Sequence, residues 1–205
     1  MDNSEKGLRE RLVDVGVELV AQERAQALTL REIARRAGVS HGAPRRYFPT
    51  HLELLSAIAR RGFAELGERT RERLGEPAWE PGREPADDTP AAARARLAGL
   101  ARTYLEFALD NRGMYELMFR HDLLESGHLG LRDTSLPLFA ILTDLAGRAR
   151  PGADARLLAG SLWANLHGVA QLWSWGSLQL ATGAQELDPL LRTVLETHLG
   201  QEAGR

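Results

Sequence analysis

Apolar residues recur three and four positions apart through nearly the whole chain, and no sustained stretch alternates apolar with polar in a β-branched run. The pattern predicts an all-α protein of about nine helices. Leu8, Leu12, Val15 and Leu19 form a first stripe, Leu30, Ile33, Ala34 and Ala37 a second, and Leu52, Leu55, Ile58 and Ala59 open a third. Beyond them, helices are predicted at about 90–110, 113–120, 131–149, 154–180 and 188–199. The stretch GEPAWEPGREPADDTP, Gly75 to Pro90, interrupts the pattern, since its prolines and glycines deny helix continuation. Asp188 as N-cap with Pro189 at the first helical position marks the start of the last helix.

The densest start and stop signals lie between Thr29 and Thr50. Thr29/Glu32 and Thr50/Glu53 have the spacing of capping boxes, each able to satisfy two free backbone N–H groups. Gly38 stands where a left-handed C-terminal cap is needed. Ser40 is a suitable N-cap for a short helix to follow, although a start at Gly42 would relieve the strain that Pro44 brings to a helix interior. Either way the order is helix, tight turn, short helix. Helical spacing gathers Ala43, Tyr47, Pro44 and Phe48 on a side suited to the core. His41, Gly42, Arg45 and Arg46 fall on the other, cationic side.

Composition narrows what such a bundle does. With 205 residues the chain is long enough for a sizeable core, and the lack of cysteine excludes thiol nucleophiles, iron–sulfur clusters and cysteine zinc sites. The charged start MDNSEKGLRERLVDVG is unlike a signal peptide, and no run approaches the roughly 18 apolar residues of a membrane span, so a cytoplasmic protein without membrane attachment is expected. The net charge of -2 argues against nucleic acid only until its distribution is examined. Between Arg24 and Phe48 six arginines (24, 31, 35, 36, 45 and 46) face one acid, Glu32. A locally basic face on an acidic chain still attracts phosphates; the same run also suits a solvated helix surface.

The segment LTLREIARRAGVSHGAPRRYFPTHLELLSAIARRGF resembles the DNA-binding segment of the TetR/AcrR family of transcriptional regulators, through I-A-x-x-A-G-V-S followed by Y-F-P. The resemblance implies a three-helix domain over residues 1–52 that reads double-stranded DNA, with Thr29, Ser40, His41, Gly42, Arg45, Arg46, Tyr47 and His51 at the interface. It departs from the family at two positions: Arg45 stands where tyrosine is usual, and His51 where lysine is usual. Arg45 suits either a phosphate or a guanine edge. His51, mostly neutral near pH 7, offers one donor to a phosphate or is an exposed helix-terminal residue with no partner.

Residues 53–205 are expected to hold the second function. YLEFALDNRGMYELMF brings Tyr104, Phe107, Met114, Tyr115, Met118 and Phe119 close in sequence, as plain core or as the wall of an apolar ligand site. In SLWANLHGVAQLWSWG, Trp163 and His167 lie four apart, and His167 would either orient a ligand's polar group or satisfy a buried carbonyl. Trp-x-x-x-His-Gly is similar to the C-terminal signature of a TetR subgroup named for Trp-His-Gly. That resemblance implies a pocket for a small-molecule effector, formed by these eight residues, and a homodimer through the last two long helices. Gly160, Ala164 and Gly168 repeat every four residues, which suits either close approach of a partner helix or tight packing within one subunit.

The combined expectation is a ligand-responsive repressor, homodimeric on a palindromic operator, with no catalytic residues, metal or cofactor. The alternative is an all-helical small-molecule-binding protein or enzyme without DNA binding. Its best support is RHDLLESGH, where His121, Asp122, Glu125 and His128 are metal-ligand types at poor spacing.

Overall fold

A computed structural model of the chain describes residues 3–23, 28–75, 89–125 and 130–200. Eleven α-helices occur among them: α1 (Asn3–Glu23), α2 (Leu30–Arg36), α3 (Pro44–Tyr47), α4 (His51–Leu74), α5 (Pro90–Asp110), α6 (Arg112–Met118), α7 (His121–Glu125), α8 (Leu131–Ala149), α9 (Ala155–Ser174), α10 (Ser177–Thr182) and α11 (Asp188–Leu199). The all-α expectation holds, with two helices more than the nine predicted. One addition is α7. The other arises because the predicted helix 154–180 is two: Gly176, at φ 77, takes a left-handed turn after α9 and α10 begins beyond it. Trp163 and Trp173 therefore lie in α9, and Trp175 is its C-cap rather than a member.

By packing, the chain forms two compact units, one of residues up to Glu65 together with Asn111–Ser135, the other of Leu66–Asp110 and Leu136 onward. This division follows contacts and differs from a division by role at 52/53. In the first unit α1 packs on α2, α3 and α6. Its buried residues include Leu12, Val13, Leu19 and Val20 from α1, Ile33 and Ala34 from α2, Phe48, and Leu54, Leu55 and Ile58 from α4. Leu8 and Val15, expected on the inner stripe, are half-buried, because Val13 and Gly16 turn inward instead. At Gly16 an added Cβ would run into the Ile58 side chain, so any larger residue there must displace that side chain from its place between α1 and α4.

The second unit is built on α5 and α9, with α10 and α11 packed on α9. Leu97, Ala101 and Leu105 meet a core shared with Leu158, Leu162, Leu166, Leu191 and Val194. Arg94 closes two helix ends at once: Nε donates to the Ala149 carbonyl at 3.1 Å, and Nη2 to that of Leu199 at 2.6 Å. A cation there satisfies carbonyls that a helix C-terminus leaves without partners. Asp154 caps α9, its Oδ1 accepting the N–H groups of Arg156 and Leu157 at 3.0 Å each. At α11 the expected N-cap shifts by one residue. Leu187 takes that place, Asp188 is the first helical residue, and its carboxylate is drawn to Arg102 at 2.7 Å.

Gly16→Val is expected to destabilise the protein by about 2 kcal/mol or more through overpacking against Ile58. Gly7→Ala, on the exposed side of α1 with open space around it, is expected to gain up to about 1 kcal/mol from helix propensity. Denaturant midpoints of the two variants measure both; an unshifted midpoint for Gly16→Val removes the crossing constraint.

Candidate nucleic-acid interface and ligand site

The Thr29–Thr50 region folds as its signals dictate, with two adjustments. Thr29 caps α2, its Oγ1 accepting the Glu32 N–H at 3.2 Å. At the far end Gly38, at φ 67, carries a double closure: its N–H reaches the Arg35 carbonyl, and the Val39 N–H reaches that of Ala34 at 3.0 Å. The first adjustment concerns α3, which starts later than either predicted site. Residues 41–43 form a turn, Ala43 is the N-cap and Pro44 opens the helix, where its missing N–H is no loss. Ser40 is thus not the cap; its carbonyl instead accepts the Ala43 N–H at 3.0 Å.

The second adjustment concerns the capping boxes. Thr50 Oγ1 accepts the Glu53 N–H at 3.2 Å, the first half of the expected box, and its hydroxyl donates to Glu53 Oε1 at 3.2 Å. Glu32 does not turn back to its cap. Its carboxylate is held by Arg35, through Nε at 2.8 Å and Nη2 at 2.6 Å, and by Arg36 Nε at 2.8 Å. Arg36 also donates to Gln22 on α1 at 3.2 Å. The hydrogen bonds from Arg35 and then Arg36 hold the Glu32 carboxyl down at about 2, against 4.5 for a free one.

The face that results is exposed and cationic. Pro44 and Phe48 are buried and Ala43 and Tyr47 half-buried, while Thr29, Ser40, His41, Gly42, Arg45, Arg46 and His51 are exposed. Arg9 of α1 covers the other side of Phe48, 5.0 Å from its ring centre. Arg31, Arg45 and Arg46 form no ion pair among the described residues. Arg24, counted in the basic window, lies outside the described residues. His51 Nε2 bonds to the Leu28 carbonyl, so this residue does have a partner, one that its sequence context did not indicate.

The eight candidate ligand residues divide. Met114, Tyr115, Met118 and Phe119 belong to the first unit, where the sulfurs of both methionines close on Gly62 and Phe119 meets Phe63 and Tyr115 edge-on at 5.6 and 4.9 Å. Tyr104, Phe107, Trp163 and His167 belong to the second. There three are joined directly: Trp163 Nε1 donates to Tyr104 Oη at 3.3 Å, and that hydroxyl pairs with His167 Nδ1 at 3.1 Å. His167 therefore engages a hydroxyl, and burial pushes its pKa down, favouring the neutral ring. Phe139, not anticipated from sequence, meets Trp163 edge-on at 6.1 Å. A separate groove of about 600 Å³ runs between α5 and α11, lined by Arg73, Arg94, Arg102, Leu191, Arg192 and Leu195 among others; none of the eight lines it.

No three histidine or acidic side chains converge on a metal-binding arrangement among the described residues. Asp122 is held by Arg120 at 2.6 Å, which lowers its pKa, while His128 and the side chain of Glu125 lie outside them. No described helix is long and apolar enough to cross a membrane.

Two family matches cover most of the chain. Residues 12–58 match the bacterial regulatory proteins of the tetR family, and residues 97–198 match the tetracyclin repressor-like C-terminal domain. Among solved structures, a protein of unknown function from Rhodococcus sp. RHA1 is 27% identical over 95% of this chain and 96% of its own, with a TM-score of 0.68. A TetR-family transcriptional regulator from Streptomyces coelicolor is 23% identical, covering 94% and 98%, at 0.61. The multidrug binding protein EbrR, solved with imidazole, is 22% identical, covering 96% and 97%, at 0.57; these last two show the fold alone. None of the curated proteins matches the chain. With both matches falling in one family of non-catalytic DNA-binding regulators, the chain is not an enzyme. An exposed cationic helix-turn-helix and a helical C-terminal half, each matched by that family, give the chain the fold of the TetR/AcrR-family transcriptional regulators.

Proposed function

We propose that the chain is a cytoplasmic, homodimeric repressor that binds a palindromic operator through two copies of the α2–α3 face and is released by a small molecule. The observation that carries the DNA half is the exposed pair Arg45 and Arg46 on a helix whose other side is buried. With Arg35 and Arg36 engaged by Glu32, the arginines of this window without an ion pair among the described residues are Arg31, Arg45 and Arg46. Thr29, at the positive end of α2, suits a phosphate. Gly42, with open space around it, lets the backbone approach a groove floor beside Ser40, His41 and Tyr47. In this division by role, residues 1–52 read DNA and residues 53–205 sense the effector and form the dimer.

The effector half rests on the Tyr104–Trp163–His167 cluster, where a neutral imidazole and a phenol stand among aromatic rings. Such a setting orients a small ligand's polar group within apolar walls. The Trp163-x-x-x-His167-Gly168 spacing supports the Trp-His-Gly subgroup, and Phe107, of the same unit, is a further apolar candidate for the effector. That EbrR is a multidrug binding protein agrees with small-molecule sensing on this fold.

The dimer rests on α9. Cβ atoms added at Gly160 and Gly168 would meet nothing within 4 Å, so packing inside one subunit does not require these glycines. Leu157, Leu172 and Trp175, 73%, 39% and 67% exposed, flank the same small-residue face. A helix face of small residues between exposed apolar ones suits a second α9 and α11 across a twofold axis.

Four outcomes test this reading. Duplexes selected from genomic DNA should bind with log K falling by about 0.9 per log salt for each phosphate neutralised. Arg45→Ala and Arg46→Ala should each weaken the selected duplex at least tenfold. An equal loss on a scrambled duplex assigns a phosphate contact and a loss confined to the selected one a base contact, whereas unchanged affinity in both variants ends the proposal. In a carboxyl titration followed by NMR, Glu32 should show a midpoint at about 2. Its pairing is then complete above the unfolded carboxyl range near 4.5 and lost only as pH falls through about 2, so Arg35 and Arg36 share one carboxylate and keep a net positive charge wherever DNA binding is measured. A midpoint near 4.5 would return both arginines to the interface. Ala164→Glu should convert the dimer to monomer in sedimentation equilibrium; a variant as dimeric as the parent excludes the α9 face.

A further inference from the structure

His51 occupies the position at which the family resemblance places lysine, yet its ring faces the protein. Nε2 bonds to the carbonyl oxygen of Leu28, 23 positions earlier in the chain. A carbonyl oxygen only accepts, so Nε2 carries the proton of this bond whether the ring is neutral or cationic. In the neutral ring Nδ1 is then a bare acceptor, and it has nothing to donate to a phosphate oxygen.

The partner's location gives this bond its meaning. Leu28 has a side chain 1% exposed and directly precedes Thr29, the N-cap of α2. Its carbonyl lies outside the helix, so no intrahelical N–H serves it, and a group so placed needs a donor from elsewhere. Thr29 in turn accepts two N–H groups, that of Glu32 on Oγ1 and that of Ile33 on its carbonyl at 3.0 Å. The donor sits on the first residue of α4, whose own start is fixed by Thr50. One imidazole thus ties the beginning of α4 to the beginning of α2.

We infer that His51 is a positioning residue for DNA binding: its Nε2–H holds Leu28, and through it Thr29 and the free amides that open α2, without touching a phosphate. This rests on the DNA-binding reading above, and the test separates the two. The full-length protein is compared with His51→Gln, His51→Asn and His51→Ala at pH 8. Glutamine carries its amide donor at about the reach of the imidazole Nε2, whereas asparagine reaches only as far as Nδ1.

Without DNA, amide exchange at Glu32 and Ile33, whose N–H groups Thr29 accepts, should be several times faster in the Asn and Ala variants than in the parent, and near the parental rate in His51→Gln. On the selected duplex, Asn and Ala should lose about five- to tenfold in affinity and Gln less than about twofold, all with the parental salt slope. The inference is overturned by equal behaviour of Gln and Asn, or by unchanged exchange with a salt slope shallower by about 0.9 per subunit in every variant, the mark of a lost phosphate contact. Should His51→Ala fail to fold, the Gln and Asn pair still decides. If the parent binds no duplex, the DNA reading fails while the exchange comparison still judges the clamp.

Discussion

The burial of Phe48 and Pro44 is the constraint on which the surface proposed to meet DNA depends. A four-residue helix has no stability of its own, because nucleating a single turn fixes more dihedrals than its few hydrogen bonds repay. What holds α3 is its inner side. Phe48 is 1% exposed, a burial that contributes about 1.5–3 kcal/mol, and Arg9 covers its ring from α1. The closed turn at Gly38 then fixes how the chain leaves α2. Arg45 and Arg46 are outward because their neighbours at 44 and 48 cannot be.

Charge on this surface is set by pairing more than by count. Six arginines against one acid suggest a strong field, but Glu32 binds Arg35 and Arg36 together, and Arg36 also reaches Gln22. Exposed pairs of this kind add little to stability. Their effect is to fix where the guanidinium groups point and to leave the unpaired positive charge around Arg31, Arg45 and Arg46. A smaller, better-placed positive charge suits a binder that must prefer one sequence over bulk DNA, since phosphate attraction alone does not discriminate.

What could be read in the sequence follows the range of the interactions involved. The helices around Thr29, Gly38 and Thr50 were legible because caps and left-handed glycines act within four residues. The start of α3 was legible only within limits: Pro44 announced strain in any earlier start, and the fold resolves it by placing Pro44 first. The break after α9 was hidden, since Trp173, Trp175, Leu178 and Leu180 continue an apolar rhythm across Gly176. The bond from His51 to Leu28 spans 23 residues and has no local signal at all. Glu32 lay between these cases. Its spacing to Arg35 and Arg36 was visible, yet the capping pattern at the same residue offered a competing partner, and two guanidinium groups outweigh one backbone amide.

Helix α9 brings the two C-terminal roles of the proposed reading onto adjacent residues. Trp163 and His167 face Tyr104, while Ala164 and Gly168, each one position further on, lie on the face assigned to the second subunit. Allosteric coupling is a free-energy difference between states, and it needs an element whose arrangement both sites bias. Here that element is a single helix, capped at Asp154 and ended by the turn into Gly176. An effector that breaks the Tyr104–His167 pair changes what that side of α9 rests on, and the neighbouring face of Ala164 and Gly168 has little side-chain length to absorb a shift. Any such shift would pass directly into the spacing of the two subunits, which is the quantity that a pair of recognition helices one DNA turn apart depends on.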